Sequence, residues 1–323
     1  MSRVAVLGCG VAGTVVANRL VRARRRVEVT VIDGHGDHIY QAGLIDVAFG
    51  VRTSESLRRD ARPLLDPLVR LVVDKVEGID PAARRIDLAS GARLEYDVAV
   101  IATGSRNDRG GIEGISEGSR TFHCPRQADE LARELAAFGG GRIVVGATRL
   151  PYRCPPSPVE FALRLDAKLR GAGRPNGSRI TYVYPIEQLQ PNPAIGGWAR
   201  ALLVERGIEI RAPFQIERIE PGAKRLVSST GEELPFDLAV LVPPHRGASF
   251  LDSSGLAAGN GWVKADPRTL RAGDGLYCLG DAADLPASKS GAAARYQAAA
   301  VAANVLAEIE GRTPSPDYAG RAT

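Results

Sequence analysis

The chain has 323 residues, a hydrophobic content of 44% and a formal net charge of +5. This length suits about two domains of ~150 residues each, and the composition is that of a globular protein. No run approaches the ~18 apolar residues that a membrane-spanning helix needs. The arginines at positions 22, 24, 25 and 26 close a predicted helix, where positive charge suits the helix dipole, so we expect no nucleic-acid partner.

The N-terminal residues predict a dinucleotide-binding loop. Ser2–Leu7 is a short apolar run typical of a buried parallel strand, and a glycine motif follows it at once. A helical stretch comes next, and a second apolar strand ends at Asp33, twenty residues after Gly13. Strand, loop, helix, strand and acid in this order are typical of a dinucleotide-binding domain. The loop residues are Gly8, Cys9, Gly10, Val11, Ala12 and Gly13.

Each polar or small position of this motif has a physical task. Gly8 allows the tight turn, Gly10 lets the backbone approach a pyrophosphate, and Gly13 permits close packing of helix on strand. The helix N-terminus offers free N–H groups to the phosphates, and Asp33 can accept hydrogen bonds from ribose hydroxyls. Because the motif starts at residue 8, a cleavable signal peptide has no room, and we expect a cytoplasmic protein.

The chain repeats itself at an offset close to 140 residues. Arg93-Leu-Glu-Tyr-Asp-Val-Ala-Val-Ile-Ala-Thr-Gly104 resembles Glu233-Leu-Pro-Phe-Asp-Leu-Ala-Val-Leu-Val-Pro-Pro244, and Arg3-Val-Ala-Val resembles Arg142-Ile-Val-Val. Two similar halves predict an α/β protein with two Rossmann-like domains. We expect residues 1–108 with 262–323 to form one domain, and residues 109–261 to form the other.

The second half lacks the phosphate-binding glycines of the first. After Gly146 no glycine follows until Gly171, and the prolines at 155, 156 and 158 have no N–H to donate. A nicotinamide dinucleotide is therefore not expected there. The loop presents Cys154 ahead of a predicted helix, beside Arg153 and close to Arg149, and such surroundings lower the pKa of a thiol. The alternative for Cys154 is a buried packing residue.

The number and spacing of the cysteines limit which redox and metal chemistry the chain can have. The chain has four cysteines and no Cys-x-x-Cys motif, and its four histidines and four cysteines show no paired spacing for zinc, so no metal is expected. Cys9 and Cys278 lie in a loop and a core strand and are interpreted as packing residues. Cys124 lies in the crossover to the second half and remains open between a redox role and packing.

A third motif completes the cofactor prediction. A strand ends in Gly280-Asp281, and a long alanine-rich helix follows it. Together with the first loop, this resembles the flavoproteins with two dinucleotide-binding domains. The resemblance implies that Thr103 and Gly104 lie near the flavin of FAD and that Asp281 binds its ribityl chain. Lys289 either adds charge near the flavin or is a solvated loop lysine. We also place Val76 among the cofactor-binding residues.

The resemblance narrows to the sulfide:quinone oxidoreductases and the flavin subunits of flavocytochrome c sulfide dehydrogenase. It rests on Cys154-Pro-Pro-Ser-Pro-Val-Glu160, on His38-Ile-Tyr-Gln41 and on Leu285-Pro-Ala-Ser-Lys289. The resemblance implies that Cys154 takes up sulfide as a persulfide and passes two electrons to FAD, with a quinone as acceptor. Glu160 matches a family carboxylate proposed as a base, or is a first-turn acid suited to the helix dipole. Cys124 falls near another family cysteine.

Two departures from this family leave alternatives open. No cysteine follows Cys278, and the chain ends at Thr323, before the region that forms the quinone site and a membrane contact in the family. We expect the segment Gly311–Thr323 to be poorly packed, with peripheral membrane contact through a missing C-terminal region and a homo-oligomer as further expectations. The alternatives are a type II NADH dehydrogenase-like enzyme and a flavin-bound redox sensor or partner subunit.

Overall fold

The computed structural model describes residues 1–23, 27–190, 192–259, 261–315 and 318–320. The first unit consists of Met1–Ile39, Arg58–Arg106 and Arg246–Thr323, and the second of Tyr40–Leu57 and Asn107–His245. The arginines at 24–26 lie outside the described residues. Among these residues, no helix is both long and apolar enough to span a bilayer.

The two units divide the chain differently from the predicted domains at two places. Residues 40–57 belong to the second unit, where the helix Leu44–Ala48 packs on Pro125–Ala137 and Asp46 pairs with Arg164 at 2.8 Å. Residues 246–261 belong to the first unit, where the backbone N–H of Ile79 donates to the Ser254 hydroxyl at 3.0 Å. Neither attachment has a local sequence signal, since both are made by residues distant in the chain.

The first unit is built on a largely parallel sheet. Its central strand, Ser2–Leu7, pairs in parallel with Val27–Asp33 on one side and with Val98–Ile101 on the other. These apolar strands are buried on both faces, as in doubly covered parallel sheets. In spatial order the sheet contains Arg271–Gly273, Leu276–Cys278, Val98–Ile101, Ser2–Leu7, Val27–Asp33 and Arg70–Val73.

Helices cover one face of this sheet and antiparallel strands the other. Val11–Arg22 packs against Gly291–Ile309, and both contribute to one apolar cluster with the sheet. The opposite face packs against a three-stranded antiparallel sheet through Ile79 and Ile86. The antiparallel strands are Val76–Asp80, Arg85–Leu88 and Arg93–Glu95. The smaller elements of this unit are the strand pairs Asp37–Ile39 with Arg58–Asp60 and Val263–Lys264 with Ala283–Asp284, and the helix Ser249–Ser253.

The second unit repeats this plan with a smaller sheet. Four parallel strands lie in the order Glu209–Arg211, Arg179–Val183, Arg142–Ala147 and Leu238–Val242. The antiparallel strands are Ile216–Glu220, Arg225–Ser228 and Glu233–Pro235. The helices are Leu44–Ala48, Ile115–Gly118, Pro125–Ala137, Ser157–Gly171 and Pro193–Glu205. Two short strands, Arg106–Asn107 and His245–Arg246, lie where the chain passes between the units.

The repeat seen in the sequence is present in the hydrogen bonds of both halves. In the first, the backbone N–H of Arg3 donates to Asp97 Oδ2 at 2.7 Å, and the N–H of Asp97 donates to the Arg3 carbonyl at 2.9 Å. In the second, Arg142 and Asp237 exchange the same two bonds, each at 2.8 Å. The repeated arginine and aspartate therefore join the first strand of each half to the chain entering its returning strand.

Tyr318 of the C-terminal segment is buried in the first unit, so the prediction that this segment is poorly packed was wrong for this residue, whereas residues 311–313, 315, 319 and 320 are exposed. This side chain is 5% exposed, its hydroxyl accepts a hydrogen bond from Gln297 at 3.3 Å, and its backbone N–H donates to the Arg268 carbonyl. Ser315 also donates its N–H to Asn304 Oδ1 at 2.8 Å. The aromatic ring of Tyr318 is therefore buried although the residues around it are mostly exposed.

Tyr318→Ala should therefore lower the free energy of unfolding by about 3 kcal/mol, the usual cost of removing a buried aromatic ring. Tyr296→Ala is the matched control, because that ring is 46% exposed and lies on the helix Gly291–Ile309. Urea unfolding followed by circular dichroism measures both. Equal midpoints for the two variants would show that Tyr318 is not part of the core.

Candidate functional site

The glycine loop of the first unit has the geometry that its sequence predicts. Gly8 has φ +100°, and a Cβ atom there would lie 2.6 Å from the Ala102 carbonyl oxygen. A Cβ atom at Gly13 would lie 1.9 Å from the Gly8 carbonyl oxygen, so only glycine lets the helix approach the strand this closely. A Cβ atom at Gly10 would meet nothing within 4 Å. The backbone of the loop is therefore open at Gly10, where the sequence predicts contact with a pyrophosphate.

The Asp33 carboxylate lies beside the glycine loop and stabilises it by accepting hydrogen bonds from backbone N–H groups. Its Oδ2 accepts from the N–H of Cys9 at 2.9 Å, and its Oδ1 accepts from the N–H groups of His35 and Gly36 at 2.9 and 3.0 Å. Burial acts to raise the pKa of the Asp33 carboxyl, but these backbone N–H donors outweigh it and lower the pKa. The residue therefore stays ionised, with lone pairs left for the ribose hydroxyls that the sequence assigns to it.

The next strand of the sheet brings Thr103 and Gly104 to the same edge. The hydroxyl oxygen of Thr103 is buried and has no hydrogen-bond partner within the described part of the chain. Gly104 has φ +66°, and a Cβ atom there would meet nothing within 4 Å. A buried hydroxyl without a partner beside an open glycine fits a polar ligand group. Val76 begins an antiparallel strand of the same unit and is partly buried against its core.

Gly280 and Asp281 follow the neighbouring strand. The N–H of Gly280 donates to Gln297 Oε1 at 2.6 Å, and a Cβ atom on Gly280 would lie 3.6 Å from the Ala12 Cβ. Asp281 Oδ2 accepts from the Ser105 hydroxyl at 3.5 Å. The three predicted cofactor-binding segments thus meet at one edge of the sheet, within the first unit.

Lys289 lies inside this loop rather than in solvent. It is 5% exposed, and its Nζ donates to the carbonyls of Asp281 at 3.0 Å and Ala283 at 2.9 Å. The ammonium also lies 3.7 Å from the centroid of the Trp262 ring. Burial lowers the pKa of Lys289 to about 8. The reading of Lys289 as a solvated lysine was wrong, and its contact with the flavin stays a prediction.

Two helix N-termini lie next to these loops. Val11 and Gly291 start the helices Val11–Arg22 and Gly291–Ile309, and a Cβ atom on Gly291 would lie 4.0 Å from a methyl group of Val11. Ser290 caps the second helix by accepting from the Ala293 N–H at 3.2 Å. Both helix ends offer partial positive charge, which suits the phosphates of a dinucleotide and an anionic ring system.

In the second unit, side chains fill the corresponding edge. The N–H and hydroxyl of Thr148 both donate to the Val242 carbonyl, and Tyr152 and Tyr184 are buried there with their hydroxyl oxygens 3.3 Å apart. Gly146 packs against the next strand, because a Cβ atom there would lie 1.9 Å from the Val183 carbonyl oxygen. Gly146 therefore belongs to the strand Arg142–Ala147 and serves the packing of two strands, not the binding of a phosphate.

Cys154 occupies this edge in an unusual backbone conformation. Its φ is +60°, a left-handed value that non-glycine residues rarely adopt. The Tyr152 hydroxyl and the Gln190 side chain both donate to the Pro155 carbonyl, at 2.9 and 2.7 Å, and so hold the turn. The helix Ser157–Gly171 begins three residues after Cys154, and the Ser157 N–H donates to the Cys154 carbonyl at 2.9 Å.

The prediction that the thiol of Cys154 has a lowered pKa was wrong. Burial raises the pKa, and Glu160 raises it further, which outweighs the lowering by the Ser157 hydrogen bond and by Arg153. Arg153 donates to the His123 carbonyl at 2.7 Å. Arg149 donates to the carbonyls of Thr148 and Ile216, so its guanidinium is used for structure and not for the thiol.

The other two predicted catalytic residues lie in the same unit. Cys124 is half-buried and immediately precedes the helix Pro125–Ala137. Its chain neighbour His123 contacts Arg153, the chain neighbour of Cys154. Glu160 lies in the first turn of its helix, is exposed, and pairs with Arg164 at 3.4 Å.

Sequence reasoning missed three polar residues beside Cys154. His123, Ser157 and His245 are 6%, 6% and 5% exposed, and they form a hydrogen-bonded chain. The internal repeat carried a signal for His245, because it aligns this residue with Ser105, the residue that contacts Asp281 in the first half. Histidines at 123 and 245 were too far apart in sequence to be paired by spacing.

Comparison with known proteins shows which family the chain belongs to and which proteins it is similar to. The model of the family described as pyridine nucleotide-disulphide oxidoreductase matches residues 2–304. The mitochondrial sulfide:quinone oxidoreductase of Mus musculus is 22% identical over 330 residues, covering 98% of this chain and 73% of that protein. An NADH dehydrogenase-like protein of Mycobacterium tuberculosis is 29% identical over 248 residues, covering 72% of this chain and 60% of that protein.

A solved structure agrees with the sequence comparison. The X-ray structure of the sulfide:quinone oxidoreductase from Aquifex aeolicus has a TM-score of 0.86 at 24% identity, covering 96% of this chain and 78% of that one. The predicted α/β fold with Rossmann-like domains is confirmed, as is the resemblance to the sulfide:quinone oxidoreductases. The prediction of FAD as cofactor is confirmed as well, because the matched family consists of FAD-binding flavoproteins.

Asp281→Ala should weaken FAD retention, because it removes the carboxylate at the edge where the glycine loop and Thr103 converge. We expect at least about a tenfold higher dissociation constant, since a lost hydrogen bond from a charged group costs about 1.5–3 kcal/mol. The flavin-to-protein absorbance ratio after gel filtration measures it. Asp274→Ala is the control, because the Asp274 side chain is 79% exposed. Unchanged retention in Asp281→Ala would remove this residue from the cofactor site.

Asp33→Asn should destabilise the loop in a pH-dependent way. The folded-state pKa of Asp33 is lowered, so its stabilising effect is present above the unfolded value of about 3.9 and is lost as the pH falls through the folded value. The free energy of unfolding should therefore differ between wild type and Asp33→Asn by about 1–3 kcal/mol at pH 7, and by less at pH 3. Urea titrations at both pH values test this. A difference that grows on acidification would contradict the assignment.

Proposed function

Because the chain belongs to the pyridine nucleotide-disulphide oxidoreductase family and is an FAD-dependent oxidoreductase, we propose that it oxidises sulfide or a small persulfide through Cys154. A quinone is the proposed electron acceptor. The observation that carries this proposal is Cys154 itself, held at φ +60° on the edge of the second unit that corresponds, in the internal repeat, to the glycine-loop edge of the first. Non-glycine residues in this conformation cost of order 1–3 kcal/mol and concentrate at functional sites.

The proposed chemistry uses a sulfur–sulfur bond. When the Cys154 sulfur joins a sulfide sulfur, the new S–S bond releases two electrons, and the thiol and sulfide lose protons. FAD, when bound, supplies the two-electron acceptor for this step. Cys154 positions the substrate sulfur, the glycine loop and Asp33 orient the cofactor, and the buried aromatic side chains around the thiol exclude water. Cys124 is the proposed second site for sulfur. Glu160 is a proposed proton acceptor in the exposed first turn of the helix Ser157–Gly171.

An NADH dehydrogenase-like activity is the second candidate, favoured by the similarity to the mycobacterial protein. It would need the nicotinamide dinucleotide to bind at the edge of the second unit. Three observations argue against it there: the fully buried Thr148, the buried tyrosines 152 and 184, and the prolines at 155, 156 and 158, which have no N–H to give a phosphate. The proposed location is the cytoplasm, with the quinone reached at a membrane surface.

Anaerobic sulfide should bleach the flavin band much faster than NADH or NADPH, and Cys154→Ser should abolish bleaching by sulfide while FAD stays bound. Serine keeps the shape of cysteine but forms no persulfide, and holding the sulfur in place contributes on the order of 7 kcal/mol or more to lowering the barrier. Stopped-flow absorbance measures the rates, with FAD content as the folding control.

The same experiment separates the candidates. Rapid bleaching by NADH with sulfide inert in wild type would replace the proposal by the dehydrogenase activity. Bleaching by neither donor would favour a flavin-bound sensor. Cys124→Ser and Glu160→Gln complete the series: a loss in Cys124→Ser makes it a second redox cysteine, and a slowed but complete reaction in Glu160→Gln makes the glutamate a proton acceptor.

A further inference from the structure

We propose that His123 and His245 form a buried proton relay, which takes the thiol proton of Cys154 through the hydroxyl of Ser157. This inference rests on the proposed role of Cys154 and adds to it the groups that carry the proton. All four residues belong to the second unit. None of the three relay residues follows from the cysteine and carboxylate pattern of the sequence.

Contacts lead from the turn at Cys154 to both histidines. The Ser157 N–H donates to the Cys154 carbonyl at 2.9 Å, and the Ser157 side chain acts to lower the pKa of the thiol, which places it beside the sulfur. Ser157 Oγ lies 3.0 Å from His123 Nε2. His123 Nδ1 lies 3.4 Å from His245 Nε2, and His245 Nδ1 lies 2.9 Å from the Pro243 carbonyl oxygen. Each histidine therefore uses both ring nitrogens, and the chain ends on a backbone carbonyl.

That carbonyl determines the direction of every bond in the chain. A carbonyl oxygen only accepts, so the proton of His245 is on Nδ1, and the Nε2 of a neutral His245 is an acceptor. His123 then donates from Nδ1, which leaves its Nε2 without a proton. The Ser157 hydroxyl donates to that nitrogen, which leaves its oxygen as the acceptor for a proton that leaves the Cys154 thiol. The neutral chain thus presents a base, His123 Nε2, to the thiol through one hydroxyl.

Burial keeps both ends of the relay uncharged before reaction. Burial lowers the pKa of His123 well below its usual value, and the charges of Arg153 and His245 act in the same direction. Burial raises the pKa of Cys154. The resting pair is therefore a thiol and a neutral imidazole, the arrangement of a general base beside an unionised nucleophile.

The proton moves only as the sulfur reacts. As the Cys154 sulfur forms its new S–S bond with the sulfide sulfur, the two electrons that are released would pass to bound FAD. The S–H bond of Cys154 breaks and its proton passes to Ser157 Oγ, while the Ser157 proton passes to His123 Nε2. The resulting imidazolium shares its Nδ1 proton with His245. The charged groups facing this chain are Arg153 and Glu160, together with the N-termini of the helices Pro125–Ala137 and Ser157–Gly171. Arg153 and the helix ends disfavour a lasting imidazolium, so the relay holds the proton transiently.

Alkylation of Cys154 by iodoacetamide tests the relay without sulfide and without flavin chemistry. The rate at Cys154 is read by peptide mass spectrometry between pH 5 and 10. Ser157→Ala should lower the rate near neutral pH by about a hundredfold, the lower end of what a positioned base contributes, and should move the pH profile to higher pH. Bleaching of the flavin by sulfide is scored separately, so a failure of the sulfide proposal leaves this result readable.

Variants of His245 separate a relay from a single serine hydrogen bond. His245→Leu should slow alkylation although it does not touch the thiol, because His123 then loses the acceptor that fixes its tautomer. His245→Gln should restore the rate, because its amide oxygen accepts from His123 Nδ1. FAD content and the unfolding midpoint show that each variant is folded.

The tautomer of His123 decides the case independently of any variant. Two-bond ¹H–¹⁵N spectra of the wild type should show His123 protonated on Nδ1 and neutral at pH 7. The proposal is overturned if His123 carries its proton on Nε2, or if His245→Leu keeps the wild-type alkylation profile while Ser157→Ala is slow, since Ser157 would then act alone.

Discussion

In the first unit the parallel register pairs Leu7 with both Ile32 and Ile101, and Ile101 with Cys278. The residues that follow these strands therefore leave the sheet at one level. Gly8, Asp33, Thr103 and Gly280 come to one edge because their strands run in the same direction and end together. The candidate cofactor site is a consequence of this register. If one strand shifted by a single residue, its side chains would turn to the opposite face of the sheet.

The second unit has the same register and uses its edge differently. Gly146 pairs with Val183, and Ala147 with Val242, so Thr148, Tyr184 and Pro243 leave the sheet together. In place of glycines and open backbone, this edge has buried hydroxyls, tyrosine rings and a cysteine. One backbone plan thus holds a dinucleotide loop in one unit and a thiol in the other. The difference lies in the few residues that follow each first strand.

The sequence predicted those features whose contacts are made between residues close together in the chain. It did not predict those whose contacts are made between residues far apart in the chain. The glycine loop, Asp33 and the internal repeat depend on contacts within a strand–loop–helix segment, and their residue types and spacing are local. The attachment of residues 40–57 to the second unit and the burial of Tyr318 depend on partners more than 20 residues away, such as Arg164 and Gln297. The basic neighbours of Cys154 were visible, whereas the burial that outweighs them was not.

Because the pKa of Cys154 is raised, its surroundings keep the thiol protonated and do not stabilise a thiolate. A cysteine with a lowered pKa is a thiolate at rest and reacts with any oxidant that reaches it. A buried thiol beside a neutral imidazole is unreactive until a substrate sulfur is in place, because loss of the proton and formation of the bond must then occur together. Burial would destabilise a preformed thiolate, but it protects the Cys154 thiol from oxidants. The left-handed turn at Cys154 and the bonds to Pro155 hold the sulfur beside Ser157, where the proposed relay would take the proton as the bond forms.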